Sequence, residues 1–240
     1  MNRSRIVLTV GLASAMLLSG GCANSQKEEA EAAEQRYKLL NGSTSDQVGR
    51  NGKPLPEPEV NANTRFAAGR LAESTGKLDA AMMQYQQALI ADRNHIPSLY
   101  RLGIVLTRTR HFDRAAVVWK QYIKATHDSA NGYSNLGFCY EMAGDVANAE
   151  EAYKQGFKRD PKHEPCRVNY GLMLARQGRI EEAEEQLSAV LKADEVAFNI
   201  AAIYADQGKT DLARAELTRA LEVNPKNTAA QEKLATLPQE

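Results

Sequence analysis

From Ala62 to Asn227 large apolar, small and polar positions return in one fixed order. Leu102, Gly103 and Leu106 are followed by Ala115 and Trp119; the same slots then hold Leu136, Gly137, Tyr140, Ala149 and Tyr153. Tyr170, Gly171, Leu174, Ala183 and Leu187 come next, and after them Ile200, Ala201, Tyr204, Ala213 and Leu217. Between the two halves of each unit stands a loop position filled by Gly76, Arg110, Gly144, Gly178 and Gly208, at steps of 34, 34, 34 and 30 residues. A period near 34 is the length of a helix, a turn and a second helix. The pattern therefore predicts an all-α array of five helix pairs, at 62–95, 96–129, 130–163, 164–193 and 194–227, closed by a capping helix and tail at 228–240.

Each slot has a physical reason. The small residue on the first helix lets its partner approach closely, and the large apolar residue on the second fills the wedge between them. Glycine at the turn reaches a left-handed backbone without steric cost. Pro161 and Pro225 end second helices, because proline lacks the N–H that would continue the ladder. One such hairpin cannot bury its apolar stripe alone, so neighbours must stack.

The run Tyr133-x-x-Leu136-Gly137-x-x-Tyr140, with Ala149, Tyr153 and Asp160-Pro161, resembles the tetratricopeptide repeat. The resemblance implies a right-handed superhelical solenoid whose first helices line a concave groove, with a peptide or protein as its partner. Mapped by position, one inward slot holds Arg101, Asn135, Asn169 and Asn199. Neighbouring inward slots hold Arg70, Tyr100, Phe138 and Leu172, together with Phe66, Ile104, Arg108, Glu141 and Arg176. An amide both donates and accepts, so a row of asparagines suits an extended chain irrespective of its sequence. Asparagine at that slot is also ordinary for the fold. The family's clamp for chain-terminal carboxylates needs lysine where this chain has Phe66, Tyr100, Ser134, Val168 and Phe198, which disfavours that class of ligand.

Some units depart from the pattern. Arg65 and Ala68 replace bulky apolar residues in the first unit, so its first helix is thinly anchored. The second unit has Arg110 at the glycine slot, Tyr122 at a small slot and His127 at the proline slot. The fourth lacks four residues at its end, and a local change of superhelical twist is expected near Ala193.

The first sixty residues are of another kind. Arg3 and Arg5 precede an apolar stretch from Ile6 to Leu18, and small residues lead to Cys22. That is the outline of a secretory signal over 1–22, too short to span a bilayer, which takes about 20 apolar residues. Leu17-Leu18-Ser19-Gly20-Gly21-Cys22 resembles a bacterial lipobox, which implies a lipid anchor on Cys22 and, with Ala23 beside it, an outer membrane where one exists. Ser19 departs from the box, and Gly21-x-Ala23 suits ordinary cleavage after Ala23, giving a soluble exported chain. Residues 23–61 read as a tether: a short helix over Gln26–Leu40, then Asn, Gly, Ser and Pro-rich sequence through Pro54-x-Pro56-x-Pro58.

Composition narrows the function classes. With 30 basic and 30 acidic residues, nothing attracts nucleic acid broadly. Cys139 and Cys166 fall on neighbouring first helices, seven slots apart, about 10 Å along the axis, so both are expected free. His95, His127 and His163 lie in linkers and His111 in a turn at the opposite edge, which makes surface residues of them, not ligands of one metal. Gly132-Tyr133-Ser134-Asn135-Leu136 lacks the final glycine of a nucleophile elbow. Glu181, Glu182, Glu184 and Glu185 make a solvated helix face. No cofactor motif and no small-molecule substrate site is evident, and the reading is of a non-enzymatic scaffold.

Overall fold

The computed structural model describes residues 61–238, and those residues form eleven α-helices and no strand. The signal segment, Cys22 and the proposed tether up to Val60 lie outside the described residues. The helices are α1 (Ala62–Ser74), α2 (Leu78–Ala91), α3 (Ile96–Arg108), α4 (Phe112–Ala125), α5 (Ala130–Ala143), α6 (Val146–Arg159), α7 (Glu164–Arg176), α8 (Ile180–Ser188), α9 (Ala193–Asp206), α10 (Thr210–Val223) and α11 (Thr228–Thr236). They pack as consecutive antiparallel pairs into an all-α superhelical solenoid, each pair against the next. No described helix is long and apolar enough to cross a membrane.

Within a pair the fit turns on one contact. A Cβ built on Gly69 would lie 2.5 Å from the Tyr85 ring, one on Gly103 2.6 Å from the Trp119 indole, and one on Gly137 2.7 Å from the Tyr153 ring. Leu187 stands as close to Gly171, at 2.7 Å. These second-helix side chains are at most 1 % exposed, and burying an aromatic of 150–250 Å² contributes about 4–6 kcal/mol at the usual area coefficient. In the last pair Ala201 and Leu217, both fully buried, occupy the same slots.

The turns follow the glycines. Gly76, Gly144, Gly178 and Gly208 have φ of 75°, 82°, 78° and 71°. Arg110 adopts φ 61° in the same slot, a conformation that costs a side-chain-bearing residue about 1–2 kcal/mol, while its guanidinium lies over the Phe112 ring at 5.5 Å. The linker after α4 has two more such residues, His127 (52°) and Asp128 (75°). Asp128 is tied down by Tyr133 Oη, which donates to it at 2.6 Å, and by an ion pair with Arg159.

The irregular units have local causes. α1 buries only Ala62 and Gly69, with Arg65 reaching across to Gln84 Oε1. α8 has 9 residues where the other second helices have 14, and a short turn hands the chain to α9. There the Asp194 carboxylate, 5 % exposed, accepts from Asn224 Nδ2 (2.7 Å) and Asn227 Nδ2 (3.1 Å). Because Asn224 and Asn227 cap the end of α10 and the start of α11, this one carboxylate fastens the capping helix to the fifth pair.

Cys139 and Cys166 are free and buried, their thiols donating to the carbonyls of Phe112 and Tyr153. Burial pushes the Cys166 thiol up to about 12, so it carries no thiolate near neutrality. Three histidines stand at helix N-cap positions, and of these His163 caps through its side chain. His163 Nδ1 accepts from Cys166 N at the start of α7, His95 binds Ser98 Oγ and Asn63 Oδ1 at the start of α3, and His111 sits before α4 against Thr109.

Candidate functional site

On the first helices α3, α5, α7 and α9 one slot holds Arg101, Asn135, Asn169 and Asn199, while α1 has Ala67 there. Asn135, Asn169 and Asn199 stand there half-buried. Each amide makes an internal bond: Asn135 Nδ2 donates to Asn131 O and Asn199 Nδ2 to Glu195 O, both at 2.7 Å, and Asn169 Nδ2 reaches Ser134 Oγ at 3.5 Å. Each amide keeps its Oδ1 to accept from a partner's backbone N–H, and Asn169 and Asn199 each keep a second N–H that can donate to a partner's carbonyl.

Arg101, expected in that row as a ligand contact, is spoken for. Its Nε donates to Glu73 Oε2 at 3.0 Å and its Nη2 to Glu73 Oε1, a two-pronged pairing between α3 and α1. Leu172 is the other correction. It is 4 % exposed and packs in one core cluster with Val196, Ile200 and Ile203 of α9, whereas Phe138, in the same slot one unit earlier, is 38 % exposed. Tyr100 is half-buried and spends its ring on Trp119 and Tyr122, at 5.8 and 5.7 Å. Arg70 is exposed, with no hydrogen bond or ion pair among the described residues.

A network that the sequence reading did not single out ties the groove wall together. Tyr85 Oη donates to Glu73 Oε2 at 2.7 Å, and Arg108 Nη1 lies 3.8 Å from Glu73 Oε1. Exactly two units on, at an interval of 68 residues in every member, Glu141 accepts from Tyr153 Oη at 2.9 Å and pairs with Arg176. In the intervening unit the slots hold Thr107 and Trp119, joined by Trp119 Nε1 donating to Thr107 Oγ1 at 3.3 Å. The signal was present as a Glu, Tyr, Arg triplet repeating at twice the period.

The two equivalent carboxylates differ electrostatically. Burial pushes the Glu73 carboxyl up, but hydrogen bonds from Arg101 and Tyr85, with the charges of Arg101 and Arg108, outweigh it and hold the group below the ordinary range. At Glu141 burial wins over Arg176 and Tyr153, and its carboxyl lies above the ordinary range. Burial, then the bond to Glu73, pushes the Tyr85 hydroxyl up to about 12. On another face Glu150 binds Arg179, Lys154 and Tyr170 Oη, and those partners pull it down to about 2. These are structural ion pairs joining successive units. Among the described residues no group of three or more His, Cys, Asp or Glu side chains is placed to hold a metal ion.

Comparison with known proteins agrees with this architecture. Over residues 12–240 the chain matches the family described as the Cilia and flagella-associated protein 70 C-terminal domain, and it belongs to this tetratricopeptide-repeat family. The chain is 29% identical over 157 residues to the General transcriptional corepressor ssn6 of Schizosaccharomyces pombe, covering 62% of this chain and 14% of that protein. It thus spans a small fraction of such relatives. Among solved structures, MamA protein superposes with a TM-score of 0.55 at 21% identity, over 75% of this chain and 97% of that one. YrrB, described as a TPR protein with an unusual peptide-binding site, does so at 0.50 and 20% identity, over 72% and 91%. Likeness at these identities speaks for the fold. The chain is thus a tetratricopeptide-repeat protein.

Proposed function

We propose that this chain is a non-enzymatic scaffold that holds a peptide or protein segment along the concave row of its first helices, while its N-terminus is tethered by lipid at a bacterial envelope. The observation that supports the groove is the coincidence on one face of three asparagine carbonyls left free to accept and one aromatic, Phe138, left 38 % exposed. Exposed aromatics beside unsatisfied acceptors are what an extended chain needs for anchoring and register. The anchor rests on the lipobox-like run ending at Cys22 and the basic, apolar stretch before it. On this reading the protein serves an assembly process of the envelope, pilus or secretion type, holding components together without acting on them.

The groove is tested with Asn135→Ala plus Phe138→Ala in the full chain. A partner recovered by crosslinking to the wild type should bind this variant about ten-fold more weakly or worse, with helix content and melting unchanged. Undiminished affinity would remove the groove assignment. For the anchor, Cys22→Ala should release the protein from membranes into the soluble fraction; retention on membranes counts against lipidation.

A further inference from the structure

The charged residues of the first helices are unevenly distributed along the array. α1 and α3 together carry Arg65, Arg70, Arg101 and Arg108, and Glu73 is their sole acid. α9 carries Asp194, Glu195 and Asp206 and no base. At the basic end Arg65 is bonded to Gln84 and Arg101 is locked onto Glu73. Tyr85 takes a further position on Glu73, so little of that carboxylate is left for another cation.

Arg108 therefore remains at 3.8 Å from Glu73, beyond hydrogen-bond range, and is 60 % exposed. Arg70, one turn before Glu73 on the same helix, has no partner among the described residues. Among the described residues Arg70 is thus left without a partner, and Arg108, only loosely paired with Glu73, keeps its N–H donors unbonded. Beside them, in the slot that Arg70 holds in the first unit, come half-buried Ile104 and then exposed Phe138 in the next two.

Resting on the groove reading above, we propose that the first three units recognise an acidic segment of a partner protein: Asp or Glu side chains seat on Arg70 and Arg108, and an apolar side chain lands between Ile104 and Phe138. Guanidinium groups favour carboxylates because two parallel N–H donors match two oxygens. Glu73 stays ionised, with its hydrogen-bonding capacity spent on Arg101 and Tyr85, so it orients the cluster and leaves a net positive surface. Of the α9 acids Asp194 is buried against Asn224 and Asn227, so only half-buried Glu195 and exposed Asp206 disfavour the same segment there. Binding thus acquires a direction along the array.

The test uses the full chain and fluorescence anisotropy with three labelled peptides: Asp and Glu around one Phe, the same peptide with Asn and Gln, and the same with Lys. The acidic probe should bind about ten-fold tighter than the neutral one, lose that margin as salt is raised, and bind far better than the Lys probe. Arg70→Gln with Arg108→Gln should reduce the margin at unchanged melting temperature, and Arg70→Glu with Arg108→Glu should abolish it, with some loss of melting temperature because a second carboxylate then stands beside Glu73. Phe138→Ala should weaken the acidic and neutral probes alike.

Equal affinity for the acidic and neutral probes overturns the charge assignment. If that shared affinity still depends on Phe138, the groove reading survives; if neither probe binds, the acidic-segment proposal falls and the crosslinked-partner experiment alone decides the groove. Binding of a single-stranded nucleic acid as tight as that of the acidic peptide, lost in the same arginine variants, also overturns the proposal.

Discussion

Gly103→Ala is the sharpest probe of how this array holds together. On propensity alone the substitution should help, since alanine is favoured over glycine inside a helix by about 1 kcal/mol. Here the added methyl would lie 2.6, 2.7 and 2.9 Å from three indole atoms of Trp119. Trp119 is 1 % exposed, and its Nε1 is bonded to Thr107, so it has no empty space to enter. Overpacking of this kind costs about 1–3 kcal/mol, and displacing the indole forfeits a hydrogen bond of about 1 kcal/mol. The net expectation is a loss of about 2 kcal/mol, or roughly 4–8 °C in melting temperature for a fold of this size. Trp119 is the chain's single tryptophan, so its fluorescence reports the contact directly, beside thermal unfolding followed by circular dichroism. A variant that melts at or above the wild type with unaltered tryptophan emission would refute the claim that close helix approach at this glycine governs the pair.

Other positions separate other causes. Arg110→Gly should stabilise the protein by about 1 kcal/mol, because it relieves a left-handed residue at modest entropic cost; urea unfolding checks this, and a lower midpoint contradicts it. Glu150, lowered from 4.5 to about 2, contributes stability that is present above pH 4.5 and lost as the pH falls towards 2. With its partners partly open to solvent, that contribution is no more than about 1–2 kcal/mol. Glu150→Gln should therefore destabilise the fold at neutral pH and flatten the acid limb of its stability curve, whereas an unchanged limb would show the pair to be inert. Glu73→Gln should cost more at neutral pH than Glu141→Gln, since one carboxyl is held below its ordinary range and the other above it; the reverse order would contradict the electrostatic account. Asp194→Ala should free the capping helix, read as faster amide exchange across α11 before the rest; uniform exchange would refute the latch.

The fold was largely legible because it is written in contacts that repeat. A glycine at 103, 137 and 171 opposite a bulky residue sixteen positions on, and a left-handed turn residue that is glycine in four of the five units, are local requirements that can be read within a unit. Arg110 in a glycine slot could be read as a left-handed residue for the same reason. The groove was less legible, because exposure in a slot depends on what the next unit lays over it. Phe138 and Leu172 are equivalent in sequence, yet the first is 38 % exposed and the second 4 %. Arg101 looked free because its partner Glu73 lies 28 residues back on another helix. The asparagine row kept its place, and the bonds that Asn135 and Asn199 make to their own preceding turns are not legible in the slot pattern.

The central claim, that the hollow face of the first helices is the working surface, meets its most direct test in site-specific photocrosslinking. A benzoylphenylalanine introduced by Phe138→Bpa should crosslink the partner in intact cells, while Val117→Bpa, on a second helix and 66 % exposed, should not. Adducts from position 117 without any from position 138 would place recognition on the second helices and contradict the account.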